Sequence, residues 1–431
     1  MSVHTGTRQG VLLELTANTP QQLRHTNMAA VLSVMRRAGS FTGTELIAET
    51  GLARATVIAV CDDLIAAGWV RELPARRPQS GVQKGRPARV FEFDARAGLV
   101  VGLDVGVAKT TAVVADLRGA ILGRATEVFG DFTAPAAERL DTMGKAVQSA
   151  LESAGAGQDA VLVAGVGIAA PVDNDGGIPR SQAFWENFDI GVSEYLQARY
   201  GWTVLLGNDA NLAAMAEHWM GAGEGVGDLA VMLAGERIGF GLMSSGELLH
   251  GATGRAGEVG ALELVSGVGT PDGIAALVRT LATEAVATGA VDATTPAGAA
   301  APSLLAEFAR KDKGGVSAEQ VFEAAARGDK TAVSVLDAVA RRMGRVIALL
   351  ATFLDPELVV IGGAVAASSA VLLPPLREEL ASFMSAPPRV EVSPLGDAIV
   401  TLGAVRLALN HVEDRALELV PRAAGLRRGR K

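Results

Sequence analysis

Apolar residues recur at helical spacing near the start of the chain. Met28, Val31, Leu32 and Met35 fall at i, i+3, i+4 and i+7, which predicts a helix capped by Thr26 or Asn27 and stopped at Gly39. Thr42 to Thr50 predicts a shorter helix burying Leu46 and Ile47, with Gly51 giving a tight turn. A third helix is expected from about Ala53 to Ala67. Its inner face would be Val57, Val60 or Cys61, and Leu64, leaving Arg54, Ala55, Ile58, Ala59 and Asp62 outside. The segments WVREL and RVFEF then read as two strands joined by a long hairpin rich in Arg, Pro and Gly. Three helices followed by such a hairpin make a winged helix-turn-helix.

Beyond residue 93 the period changes. Residues 99 to 123 read as strand, Gly-containing loop, strand, Asp-Leu-Arg-Gly turn, strand, and a related pattern returns at residues 229 to 250. Two such units suggest a duplicated α/β domain with a cleft between its halves. GVGIAAPVD (165 to 173) is a buried strand entering a Gly/Pro loop. GNDANLAAMAEHWMGAG (207 to 223) is a loop feeding a helix, and DPELVVIGGAVA (355 to 366) a strand entering a Gly-Gly turn. The expected division is 1–93 and 94–431.

Composition narrows the function classes. The chain has 431 residues, 49% hydrophobic and 20% charged, with a single cysteine, Cys61. One cysteine rules out an intrachain disulfide and any zinc site built from two or more thiolates of one chain. No uncharged apolar run approaches the ~20 residues of a membrane span. The first thirty residues lack a basic start followed by a long apolar stretch, so a cytoplasmic location is expected. The net charge of -8 argues at first against nucleic acid. That charge is unevenly placed: residues 1 to 93 hold 11 Lys+Arg against 7 Asp+Glu, whereas the rest holds 28 against 40. A small basic module therefore precedes a large acidic one.

The basic module has the chemistry of a DNA reader. A helix braced by its predecessor can enter a major groove while a basic hairpin reaches backbone or minor groove. Arg54 and Thr56 begin the third helix, where Arg54 would meet guanine or phosphate and Thr56 phosphate, with exposed Ile58 and Ala59 near thymine methyls. Lys84, Arg86 and Arg89 would serve the wing. The alternative is a three-helix module for protein contacts. The terminal RRGRK is a short basic tail that aids solubility.

In order, DxG with DLRG, GxGIAAPVD, NDANLAAMAE, GxGLMSSGELLHGATGRAGEVG, VFEAAARGD and DPELVVIGG resemble the ROK family of bacterial sugar kinases and sugar-responsive repressors, over about residues 97 to 412. The preceding winged helix resembles the repressor branch. The resemblance implies a two-lobed actin-like fold of the sugar kinase type and a homodimer or homotetramer. It also implies that Asp209 matches the catalytic Asp, and that Asn208, Asp209 and Glu258 form the hydroxyl-binding set. Read without the family, Asn208, Asp209 or Asn211 could simply start a helix.

The phosphate side departs from the family pattern. Asp104, Gly106, Gly239, Gly362 and Gly363 remain as nucleotide-loop positions, but Gly106, Val107, Ala108 stand where kinases carry Gly-Gly-Thr. Gly235, Glu236, Arg237, Ile238, Gly239 replace Gly-Thr-Gly-Ile-Gly, placing an acid where phosphate charge would sit. Ala261 replaces the family's His, and SGVGTPDG its zinc-binding cysteines. The expected function is a sugar-responsive regulator, a repressor that binds operator DNA and senses a sugar or sugar derivative, without catalysis, cofactor or metal. The alternatives are an active ATP-dependent sugar kinase with an appended DNA module, and a regulator whose large domain only dimerises. Residues 285 to 302, rich in Ala, Thr and Pro, read as a surface insertion.

Overall fold

A computed structural model describes residues 20–37, 39–74, 88–130, 134–179, 183–288, 303–311 and 315–421. Lys84 and Arg86, the terminal RRGRK and most of the 285–302 insertion lie outside the described residues. The chain forms two compact units, one of residues 1–97 with Arg415–Pro421, the other of 98–414 with 422–431.

In the first unit, α1 (Pro20–Arg37), β1 (Ser40–Thr42), α2 (Gly43–Thr50), α3 (Arg54–Ala66), β2 (Val70–Leu73) and β3 (Val90–Phe93) follow in order. Helix α1 starts at Pro20, six residues before the expected cap, because a proline's fixed φ and missing N–H suit the first turn. Thr42 caps α2 in a reciprocal pair with Glu45, whose carboxylate accepts from the Thr42 amide at 2.6 Å. Gly51, at φ +68°, ends that helix in the left-handed region. Strand β1 is an addition to the two strands expected. It completes an antiparallel sheet of order β1-β3-β2, pairing Phe41 with Phe91. Val31, Leu32, Met35, Leu46, Val57, Cys61, Leu64, Trp69, Phe91 and Phe93 fill the core. Ile47 is only half-buried.

The second unit repeats one plan. Its first half contains β4 (Leu99–Val105), β5 (Lys109–Asp116), β6 (Ile121–Val128), α4 (Ala136–Ala154), β7 (Val161–Ile168), α5 (Ala183–Glu186), α6 (Val192–Tyr200), β8 (Thr203–Asn208) and α7 (Asp209–Met220). The second half contains β9 (Leu229–Ala234), β10 (Ile238–Ser244), β11 (Glu247–Leu248) and then α8 (Ile274–Ala287), α9 (Leu304–Lys311), α10 (Ala318–Ala326) and α11 (Lys330–Leu354). It closes with β12 (Leu358–Gly362), α12 (Ala366–Ser369), α13 (Leu373–Phe383), β13 (Arg389–Val392) and α14 (Ile399–Asp414). The sheets run β6-β5-β4-β7-β8 and β11-β10-β9-β12-β13. In each, the first three strands are antiparallel neighbours and the last two add in parallel. The duplication suggested by the hydrophobic pattern is thus present strand for strand.

Helices α7 and α14 close the two halves against each other. Backbones approach so tightly at their crossing that a Cβ on Gly403 would lie 1.9 Å from the Leu212 carbonyl oxygen. Gly241 of β10 gives α7 the same closeness, 2.0 Å from the Ala210 oxygen. Around the crossing, Ala210, Leu212, Ala213, Ala214, Val231, Leu358, Val360, Ile399, Val400 and Ala404 form one buried cluster.

Candidate functional site

The candidate ligand residues gather where strands end. Asp104 lies near the carboxyl end of β4, Asn208 ends β8 and Asp209 opens α7, the edge at which open α/β sheets hold ligands. Asn208 is the cap of α7: its Oδ1 accepts from the Asn211 amide at 3.1 Å, and its Nδ2 donates to the Ala170 carbonyl at 3.2 Å. Capping and ligand contact are compatible, since an Asn amide keeps a second N–H and a second lone pair. Asp209 accepts from the Ala210 amide at 2.8 Å.

Two carboxyl groups on the cleft floor resist ionisation. Burial pushes Asp209 up to about 7, with further lifting by the charges of Asp104 and Glu258. Asp104 rises to about 6, chiefly by burial, against the pull of Lys109 and Arg124. The charges of Asp104, from β4, and Glu258, from the loop after β11, both reach Asp209 at the start of α7. Glu258 remains exposed, with its pKa raised by surrounding protein while Arg237 and Arg255 pull it down. A glycine-bearing loop holds it in place. Gly257 has φ +89°, and a Cβ there would lie 1.8 Å from the Phe240 oxygen, so only glycine lets the loop lie on β10. The Arg255 guanidinium stands 5.6 Å from the Trp185 ring centre.

The loop between β9 and β10 is tied down. Glu236 takes two hydrogen bonds from Arg279 of α8, at 2.8 and 2.5 Å. The carbonyls of Gly235 and Glu236 accept from the amides of Ala275 and Gly273 at 3.1 and 2.9 Å, at the start of α8. Amides that begin a helix normally make an anion site; these two point at their own chain. Gly106 follows β4, Gly239 lies in β10 beside Ala210, and Gly362 and Gly363 end β12. The structure adds Lys109, Arg124, Arg255 and Trp185 to the neighbourhood of Asp104 and Glu258, of which Arg124 and Trp185 arrive through long-range packing. Among the described residues no cluster of His, Cys, Asp and Glu is arranged to hold a metal ion.

In the first unit, Arg54 is exposed at the first position of α3, and Ala53 before it makes no side-chain cap. The first-turn amides therefore face outward with the helix's positive end. Thr56 is half-buried and Ala59 exposed. Ile58, expected outside, is instead half-buried over α2, where a Cβ on Gly43 would meet its Cδ1 at 3.3 Å. Arg89 is engaged internally. It bonds Glu72 at 2.9 and 2.7 Å and Asp62 at 2.7 Å, and lies over the Phe91 ring. It braces the hairpin against α3.

The chain thus carries a three-helix unit with a small antiparallel sheet and a duplicated α/β domain of two five-stranded sheets. The family model described as ROK family matches residues 100–411, and the chain belongs to that family. Glucokinase of Halalkalibacterium halodurans is 33% identical over 230 residues, 52% of this chain and 68% of that protein. The xylose repressor of Caldicellulosiruptor bescii is 24% identical over 401 residues, 90% of this chain and 96% of its own. The crystal structure of a ROK family transcriptional regulator, a homologue of the E. coli MLC protein, superposes with a TM-score of 0.68 at 21% identity. It covers 92% of this chain and 98% of that one. A ROK glucokinase from Streptomyces griseus, in complex with glucose and AMPPNP, gives 0.58 at 29% identity, over 73% of this chain and all of that one. No described helix is long and apolar enough to cross a membrane.

Proposed function

We propose that this chain is a sugar-responsive transcriptional regulator, a cytoplasmic repressor. Its first unit binds operator DNA and its second unit senses a sugar or sugar derivative without phosphorylating it. The observation that carries the reading is continuity: likeness to a xylose repressor extends over 90% of the chain, so it spans the winged unit as well as the ROK domain. Within the site, Asn208, Asp209 and Glu258 supply fixed donors and acceptors for sugar hydroxyls. The tied-down Glu236 loop disfavours a nucleotide, because an acid already paired with Arg279 occupies the region a phosphate would need. Arg54 and Thr56 meet DNA from α3, with Lys84 and Arg86 on the wing and Arg89 as its brace. Two copies present two α3 helices to an operator, and sugar binding favours one arrangement of the halves, altering DNA affinity about 5- to 150-fold. Fluorescence anisotropy on the DNA upstream of its own gene, with and without a sugar panel, tests this. Absence of salt-sensitive, sequence-specific binding overturns it.

A second reading is an active sugar kinase, favoured by Asp209, whose pKa near 7 suits a general base. A coupled ADP-release assay separates the two. Sugar-dependent turnover abolished by Asp209→Asn would establish the kinase.

A further inference from the structure

Beside Asn208 the second unit holds a recess of about 240 Å³, whose described lining includes neither Asp209 nor Glu258. Its walls come from both halves: Val172, Asp173 and Asn174 after β7, the end of β8, the first turns of α7, and Leu248 and His250 beside β11. The function proposed above makes no use of it. Three features define what it would take.

The first is an unsatisfied buried amide. Asn211 lines the recess and is only 6% exposed, yet its Oδ1 has no hydrogen-bond partner among the described residues. A buried amide oxygen left unpaired is costly, so a donor there is favoured. Rotation about the last side-chain bond presents either end of the amide to the recess. The second feature is charge. Among the described residues no Lys or Arg lines the recess, and one carboxylate does, Asp173, whose Oδ1 accepts from the amides of Asp175 and Gly177 at 3.0 and 2.8 Å. Nothing there offsets an anion. The third is an apolar wall of Leu206, Leu212, Met215, Leu248 and Leu407.

We infer that this recess is a second small-molecule site, for a neutral polyol of monosaccharide size, with hydroxyls toward Asn211, Asp173 and His250 and a C–H face on the leucine wall. The volume lies just below the usual range of ligand pockets, about 300 to 1,000 Å³, which admits one sugar ring and excludes an oligosaccharide. A phosphorylated sugar is disfavoured by the Asp173 charge, with no Lys or Arg among the described lining residues to offset it. Asn208 belongs to both places: it lines the recess while its amide holds Ala170 and caps α7. Occupancy of the recess is thereby felt at the hydroxyl-binding set.

Methyl-labelled methionine gives a direct reporter. In the full chain, with the Met215 methyl resonance assigned by Met215→Leu, D-glucose and myo-inositol are titrated as neutral probes and glucose 6-phosphate as the anionic one. Saturable shifts at Met215 with a neutral probe are expected, no such shift with the phosphate, and persistence of the shift in Glu258→Gln. Asn211→Leu should weaken the response about tenfold. His250→Ala, at an exposed rim position, should weaken it too and serves if Asn211→Leu misfolds. No saturable Met215 shift with either neutral probe overturns the inference. So does a shift abolished by Glu258→Gln, which would assign binding to the hydroxyl-binding set alone. The reading of that set as the sugar sensor fails separately, if no sugar alters DNA binding.

Discussion

At the residue scale, burial decides which groups can do chemistry. Cys61 is fully buried, and burial pushes its thiol up to about 12, so almost no thiolate exists at neutral pH. The native chain should therefore fail to react with a disulfide reagent at pH 7.5 and should react once unfolded in urea. Asp209 is raised in the folded state, and its ordinary value in the unfolded chain is 3.8. The unfolded state thus loses this proton first as pH rises, and stability drops between about pH 4 and about pH 7. Asp209→Asn keeps an acceptor for Ala210 and removes that charge penalty. It should match the parent near pH 4 and exceed it above pH 7 by on the order of 2 kcal/mol, read from urea midpoints across pH. Motif reading names Asp209 and Glu258, and Lys109 and Arg255 lie a few residues from Asp104 and Glu258, but the approach of Trp185 to Arg255 and of Arg124 to Asp104 depends on chain reversals that no spacing encodes.

At the scale of elements, the sequence was most legible where period and punctuation agree. The pattern at 99–123 reads as three strands, which form as β4, β5 and β6, the last running on to Val128, and Thr42 and Gly51 mark the two ends of α2. Strand β1 was not legible, since three residues carry no period; Phe91 across the ladder makes it a strand. The start of α1 was misplaced because polar Thr26 and Asn27 resemble a cap while being part of a helix already under way. Thr42→Ala should cost about 1 kcal/mol by loss of the reciprocal cap, seen as earlier melting of the first unit. Where α7 and α14 cross, Gly403→Ala would force a methyl onto a backbone carbonyl and should destabilise the second unit by at least about 2 kcal/mol. Gly157→Ala, where a Cβ meets open space, should change it by less than about 0.5 kcal/mol and is the control.

At the scale of the whole molecule, a net charge of -8 averages a basic first part and an acidic remainder, to which the proposed function assigns different partners. DNA affinity should fall steeply with salt despite the acidic total, because only the basic unit meets phosphate. Arg54→Ala should cost about 1 to 3 kcal/mol of specific binding with little change in melting. Arg89→Ala should act in the opposite manner, lowering stability first, because it frees two carboxylates and unfastens the hairpin.

The segment Arg415–Pro421 clusters with the first unit, and a Cβ on Gly68, just past α3, would lie 3.5 Å from the Pro421 side chain. The chain thus leaves the first unit at Gly98 and re-enters it straight from the end of α14, the helix that crosses α7 beneath the ligand residues. In engineering terms the second unit is spliced into the first, and the first is not an amino-terminal cassette that can be cut free. A fragment ending at Ala97 should exchange amide hydrogens faster around Gly68 than the full chain does, and a chain cut after Asp414 should show the same loosening.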